Sequence, residues 1–420
     1  MTNNNSHIAT SSSFPPSDWV ETTLGEVCEI TSSKRIFANE YQTSGIPFFR
    51  GKEVTEKFNG NEISTELFIT EEKYNEIENN FGVPEENDIL LTSVGTLGNP
   101  YLVEKDFKFY FKDGNLTWFR KYKNINPKFL FYWIISPQGK ESLSHSQIGS
   151  TQQAYTIVSL KKSGILLPPL PEQKAIASVL SAFDDKIELL REENKTLEEI
   201  GKAIFKEWFV KFRFPGHEKV KFVDSELGKI PEGWRVVDLF DYIEFEGGSQ
   251  PPKEEHIYEK RPGYIRFIQN RDYTSDAHIT YIKESKRNKL CNEFDIMMDK
   301  YGEAGKVRFG LAGAYNVALA KVVPKPPLMR EYLRCFLMQP SIQKLVEASA
   351  TASTRASVNK VVFKNLKILI PPKPLMEKFE SIGRQYIIFY LQFKKENQTL
   401  AALRDLLLPK LMSGEIRVKF

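Results

Sequence analysis

"FFRGKEV" puts Arg50 and Lys52 just after a strand-like run, and "IRFIQNRD" puts Arg266, Gln269, Asn270 and Arg271 at the same point of a later run. Arginine reaches guanine O6 and N7 through paired hydrogen bonds, and asparagine or glutamine does the same for adenine N6 and N7. Different members of that set at matched positions are what two base-reading sites with different targets would show. Charges solvated at a strand end are the plain alternative. A second matched pair is "GSTQQAY" from Gly149 and "ASTRASV" from Ala352. Its small residues Ser150 and Thr151, or Ser353 and Thr354, can approach a phosphate backbone, while Gln152 and Gln153 stand opposite Arg355 and Ala356. A simple Ser/Thr turn would read the same way. The third pair, "SVGTLGN" from Ser93 and "KYGEAGK" from Lys300, has glycines that let backbone amides close on phosphate. Lys300, Tyr301 and Lys306 add donors there, and a plain hairpin is the alternative.

Catalytic patterns are harder to find. A phosphate-cradling loop needs GxxxxGK[ST], and "GEAGK" has neither the spacing nor the hydroxyl. Amino-group methyl transfer uses Asp, Asn or Ser before Pro-Pro and an aromatic residue after it. "FPPS", "LPPL", "QPPK", "KPPL" and "IPPK" lack those flanks. The five histidines, His7, His145, His217, His256 and His278, include no pair at metal-ligand spacing. Asp276 with Glu284 and Lys286 has only a faint likeness to a D…ExK magnesium nuclease arrangement. Cys28, Cys291 and Cys335 are too scattered for a disulfide framework or a zinc site, so buried free thiols are expected. No cofactor is expected on this chain.

These residues need scaffolding, and 420 residues with 41% hydrophobic and 27% charged composition supply enough for two or three globular domains. Net charge is +4 from 58 basic and 54 acidic residues, which permits nucleic acid as a partner without demanding it. Lys or Arg interrupts every apolar stretch well short of the ~20 residues that span a bilayer. "MTNNNSHIATSSSFPPSDW" has neither the basic head nor the apolar stretch of a signal peptide and reads as a disordered polar lead, so a cytoplasmic location is expected.

The chain also repeats itself. At an offset of 203 residues, from Ser150 to Ser353, Leu160-Lys161 matches Phe363-Lys364, Pro168-Pro169 matches Pro371-Pro372, and Glu193-Asn194 matches Glu396-Asn397. Upstream, Trp19, Leu24 and Glu29 answer Trp234, Leu239 and Glu244, and "DILLTSVGTLG" answers "DIMMDKYGEAG". Two copies of one unit of about 200 residues follow, a period that marks a duplicated domain rather than a solenoid. Each unit opens as an α+β globular part, with short runs such as "YIRFI" between Gly turns, and ends in helix. After Pro171 the series Phe183, Ile187, Leu190, Asn194, Leu197, Gly201, Ile204 and Trp208 alternates steps of four and three. Tyr386, Tyr390, Phe393, Asn397, Leu400, Arg404, Leu407 and Leu411 repeat it. These are heptad seams, most simply buried against each other, with Asn194 and Asn397 as candidate register markers. Residues 172 to 212 would make a rod of ~60 Å. The segmentation read from this is a disordered lead at 1–16, a first head at 17–168, a central helix at 169–214, a linker and second head at 215–371, and a C-terminal helix and tail at 372–420.

The stretch "LPPLPEQKAIASVLSAFDDKIELLREENKTLEEIGKAIFKEWFVKFRFPG", followed by "SELGKIPEGW", closely resembles the central conserved region of type I restriction-modification specificity subunits. The resemblance covers the whole chain in organisation. It implies two target recognition domains held apart by two conserved helices pairing as an antiparallel coiled coil, one head per half of a bipartite double-stranded DNA site, and no catalysis by the chain itself. It also implies two methyltransferase (modification) subunits and ATP-driven restriction (translocase) subunits as partners, and those partners would carry S-adenosylmethionine, ATP and magnesium. Aromatic residues near Phe205, Trp208, Phe209 and Phe212 would suit a docking site for them or a local core. A stand-alone magnesium nuclease would differ in nicking DNA without partners, and a protein-only scaffold in lacking salt-dependent DNA affinity.

A helical ruler has a measurable consequence. Inserting one heptad after Asn194 keeps the seam in phase and adds ~10.5 Å of helix, which should add about three base pairs to the unread spacer. Inserting four residues rotates the later seam out of contact and should impair folding instead. Methylation mapping with partner subunits checks both, and an unchanged spacer in an active heptad variant would mean that other contacts place the heads.

Overall fold

The computed structural model describes residues 16–148, 153–276, 278–351 and 357–419. It divides into two compact units, one of Met1–Glu188 with Gln398–Phe420 and one of Leu189–Asn397. The cut falls within the long helices rather than at the head boundaries, so each unit holds a head together with part of both helices.

The heads have the same topology. In the first, Glu29–Thr31, Leu116–Arg120, Ile89–Thr92 and Pro100–Leu102 form an antiparallel sheet in that order. Beside it lies a sheet ordered Phe68–Ile69, Ile46–Phe49, Tyr110–Phe111, with the last two strands parallel. The second head repeats the first sheet as Ile243–Gly247, Leu319–Pro324, Ile296–Asp299 and Val307–Arg308, and the second as Tyr281–Lys283, Tyr264–Ile268 and Gly313–Tyr315, with a fourth strand, Leu290–Cys291, added beyond the last of these. Aromatic and β-branched residues favour these strands, and Phe48, Phe49, Tyr110 and Phe111 are fully buried.

A short ladder closes each head at the double proline. Val20–Thr23 pairs antiparallel with Gly164–Leu167, and Arg235–Asp238 pairs with Lys367–Ile370. Pro168-Pro169 and Pro371-Pro372 come directly after, where proline cannot extend a ladder but can start a helix. Trp19 and Trp234 are buried just before the first strand of each pair.

The helices are Leu170–Phe205, continued by a π turn at Lys206–Val210, and Lys373–Ser413. The seam is present in both: all sixteen heptad positions are buried or half-buried, whereas Leu189, Phe389, Leu403 and Leu406 between them are exposed. Within the first unit Glu172 meets Arg417 and Asp184 meets Arg404. Within the second, Phe205 and Trp208 meet Phe379. In the first unit rising numbers on the first helix meet falling numbers on the second and on Arg417 in the tail just past it, so the pairing there is antiparallel. Phe205 and Phe209 are buried with Trp234, Tyr332 and Phe379. Of the two readings of that aromatic group, local core holds, and Phe205 and Phe209 are not a partner's docking site. Cys28 and Cys291 are buried free thiols and Cys335 is half-buried, burial pushing all three up to about 12.

A single side chain joins the ends of the first unit. The Arg417 guanidinium donates to both carboxylate oxygens of Glu172, at 2.5 and 2.7 Å, and to both of Asp18, at 3.0 and 2.7 Å. Glu172 is 0% exposed, so removing its cation strands a buried charge. R417A should cost on the order of 3 kcal/mol. Chemical denaturation measures it, and R417A with E172M should recover most of the loss.

Candidate nucleic-acid interface

Each head builds the same edge from a strand, a cap and a short helix. In the first, Ile46–Phe49 ends at Arg50, which caps the helix Gly51–Phe58. In the second, Tyr264–Ile268 ends at Gln269, which caps the 3-10 turn Asn270–Tyr273. A carboxylate three residues beyond the cap folds back in both. Glu53 accepts from the Arg50 N–H at 2.8 Å, and Asp272 accepts from the Gln269 N–H at 3.0 Å. Both acids are buried. They satisfy a donor that the helix start leaves without a partner, and they fix the direction in which the next side chains emerge. Burial pushes the Asp272 carboxyl up, against the opposing pull of its bond from the Gln269 N–H. The neighbouring strand comes close enough that a Cβ on Gly313, at φ +154°, would lie 2.4 Å from the Arg266 carbonyl oxygen, so glycine is required there.

The glycine pairs of "SVGTLGN" and "KYGEAGK" sit in the turns of hairpins, between Ile89–Thr92 and Pro100–Leu102 and between Ile296–Asp299 and Val307–Arg308. Gly95, Gly98, Gly302 and Gly305 all have positive φ. The Gly98 N–H donates to the Thr92 carbonyl at 2.9 Å and the Gly305 N–H to the Asp299 carbonyl at 2.9 Å, which occupies both amides. Ser150, Thr151, Gln152, Ser353, Thr354 and Arg355 lie outside the described residues. Their flanks are placed: the Tyr155 N–H donates to the Ser93 carbonyl at 3.0 Å, and the Val358 N–H donates to the Lys300 carbonyl at 3.1 Å. Gln153, next to the first of these, is exposed. The helix start joins the group as well. Thr55 accepts from Asn99 at 3.3 Å in the first head, and Arg308 stands over the Tyr273 ring at 5.8 Å in the second. Three segments far apart in sequence thus meet at one edge of each head.

The cations on these edges differ in how free they are. The Arg50 guanidinium is held by Glu53 at 2.8 Å, and that bond raises it above the usual arginine range. Lys52 donates to the Ser64 carbonyl and lies 3.9 and 3.8 Å from Glu56 and Glu66. Arg266 is tied to Asp276 at 2.6 Å, and Lys306 to Glu303 at 2.6 Å. Arg271 is 54% exposed and only loosely paired, 3.8 Å from Asp272. Lys300 has no ion pair among the described residues, and its ammonium stands 5.6 Å from the Tyr301 ring, itself exposed. Asn270 is half-buried, and its carboxamide oxygen accepts no hydrogen bond from the described residues.

Glu53, Asp272 and Arg308 were not singled out from the sequence. The first two carry a readable signal, an acid three residues after a cap. Arg308 carries none, because its partner Asp299, at 2.9 Å, is reached only across a hairpin. Asp276 serves Arg266, which leaves it committed to an ion pair rather than to a D…ExK set. Among the described residues no group of three or more His, Cys, Asp and Glu is placed to hold a metal ion. Among them, too, no helix is long and apolar enough to cross a membrane. On the seam, the side-chain oxygens of Asn194 and Asn397 are buried without a hydrogen-bond partner among the described residues, so neither fixes register through a bond to them at that atom.

The family model for the type I restriction modification DNA specificity domain matches residues 16–199 and again 231–399. The chain is 28% identical over 430 residues to the type I restriction enzyme MjaIX specificity subunit of Methanocaldococcus jannaschii, covering 96% of this chain and 95% of that one. It is 24% identical over 471 residues to the HindI specificity subunit of Haemophilus influenzae, covering 95% and 100%. In fold it is similar to the crystal structure of a type I restriction-modification S subunit from M. genitalium, with a TM-score of 0.61 and 17% identity over 98% of both chains. Each matched span takes in one head and the first part of the seam that follows it, and the chain belongs to the type I restriction-modification DNA specificity family, carrying two copies of its domain.

Proposed function

We propose that the chain recognises a bipartite double-stranded DNA target, one half-site per head, and directs two methyltransferase subunits and the restriction subunits to it. S-adenosylmethionine, ATP and magnesium belong to those partners on this reading, and the work is done in the cytoplasm. The observation that carries the proposal is the repeated edge: the same strand, buried acid and glycine hairpin support different exposed residues in the two heads. A conserved frame with divergent tips is what two readers of different sequences need, because phosphate contacts position a protein while base contacts specify the site.

The freedom of each cation assigns its role. Arg271 is free to reach a base edge, whereas Lys300 above Tyr301 suits a phosphate. Arg50 can reach DNA only by leaving Glu53, so its first contribution is to hold the helix start. With partner subunits present, R271A should relax one position of one half-site at a cost of about 1–3 kcal/mol. K300A should weaken all sequences alike and lower the salt slope of binding by about one. Methylation mapping and salt titration separate the two, and loss of discrimination in both half-sites from R271A would overturn the assignment of one head to each half. E53A should destabilise the first head by about 1–3 kcal/mol, since it removes a buried acceptor from the Arg50 N–H. The methylation blur it causes should stay within the half-site that R271A leaves intact.

A further inference from the structure

The two long helices carry the same heptad seam at the same offset. Each could therefore pair antiparallel with its own copy in a second molecule nearly as well as with its neighbour in the chain. Something must distinguish the two pairings. In the first unit, the Asp184 carboxylate accepts from the Tyr132 hydroxyl at 2.6 Å and from the Arg404 guanidinium at 2.5 Å. Arg404 occupies a seam position, and its other nitrogens donate to Asp405 at 3.0 and 2.8 Å. Asp184 and Arg404 are both half-buried, with side chains 32% and 25% exposed. Tyr132 comes from the head, Asp184 from the first helix and Arg404 from the second, so one carboxylate ties three elements.

Advancing Tyr132 and Asp184 by the repeat offset, and setting Arg404 back by it, gives Cys335, Ile387 and Gly201. In the second unit these three residues line one apolar cavity of about 60 Å³, together with Phe379 and Tyr386. Where the first unit has a hydrogen-bonded ion pair, the second has a thiol, an aliphatic side chain and a void. Beyond its own helix backbone and chain neighbours, no atom of the described residues lies within 4 Å of where a Gly201 Cβ would be.

We infer that Tyr132, Asp184 and Arg404 form a lock that makes the two long helices pair with each other and disfavours either helix pairing with its own copy in a second chain. The geometry of the alternatives follows from the offset. Second helix against second helix would set Arg404 against Ile387, twice in a two-fold dimer, and first against first would set Asp184 against Gly201 twice. Each mispairing sets a half-buried charge, Arg404 with only Asp405 beside it or Asp184 with only the Tyr132 hydroxyl, against an apolar position with no opposite charge across the helices, which disfavours it relative to the native pair. On the proposed function, self-pairing would also match two identical heads and misdirect the complex to a symmetric site. The lock keeps one head of each kind together.

The test needs no DNA, so its outcome is independent of the recognition proposal. D184I/R404G places the second unit's chemistry at both positions. Light scattering across a wide concentration range should show self-association roughly tenfold or more stronger than for the parental chain. The exchanged pair D184R/R404D restores a complementary contact and should behave as the parental chain does. D184L/R404M repeats the test at more conserved volume, with circular dichroism reporting folding, in case the glycine weakens the helix. Parental association in a folded D184I/R404G or D184L/R404M chain overturns the inference. So does a D184R/R404D chain that associates as strongly as D184I/R404G.

Discussion

Each head's core is completed by a helix end that arrives from the other copy of the repeat, and the rest of the structure depends on that exchange. The core of the first unit gathers Trp19, Leu24, Ile165 and Leu167 with Ile176 and Leu180 from the start of the first helix, and with Leu408, Leu411 and Met412 from the end of the second. The core of the second unit gathers Trp234, Leu239 and Ile368 with Met376 and Phe379 from the start of the second helix, and with Phe205 and Phe209 from the end of the first. Burial of large apolar side chains dominates stability. Neither copy reaches its full core from contiguous chain, so the duplication is maintained by folding as well as by any use made of it. The ion pairs of Arg417 with Glu172 and Asp18 then hold the last residues of the chain where that closure needs them.

A fixed base permits variable tips. The buried acids Glu53 and Asp272 are held by the same backbone contact in both heads, and the glycine hairpins close through the same carbonyl-to-amide bonds. The acid contacts take the backbone N–H at the cap, which every residue but proline supplies, so they survive substitution at Arg50 or Gln269 even though the side-chain bonds of Arg50 to Glu53 and of Gln269 to Thr280 are lost. Divergence concentrates where backbone geometry does not depend on side-chain identity.

The duplication, the α+β heads and the helical seam were legible in the sequence because heptad spacing and a constant offset survive without tertiary knowledge. Phe183, Ile187, Leu190 and Leu197 on one helix, and Phe393, Leu400 and Leu407 on the other, face inward as their spacing requires. The ion pairs were not legible. Arg50 and Lys52 look like free cations in a linear string, yet carboxylates three and four residues on, and one from Glu66 across a loop, take up their charge. Only the first of these, Glu53, stands at a spacing with a known capping mechanism. Arg404 reads as a polar interruption of the seam, and its partner Asp184 is 220 residues away. Spacing reveals faces, whereas partners across a fold are set by packing that no local pattern encodes.

The near balance of 58 basic and 54 acidic residues takes its meaning from these pairs. A surface of loose lysines would gain DNA affinity at every sequence through counterion release. Here carboxylates compete for most of the cations at the edges, so a phosphate gains less there than it would from an unpaired lysine. Non-specific binding is lowered by that competition more than specific binding is, because a base contact adds hydrogen bonds that an exchange of one anion for another does not. A weakly basic chain with its charges largely paired is therefore suited to discrimination, and the affinity it gives up is the kind that carries no sequence information.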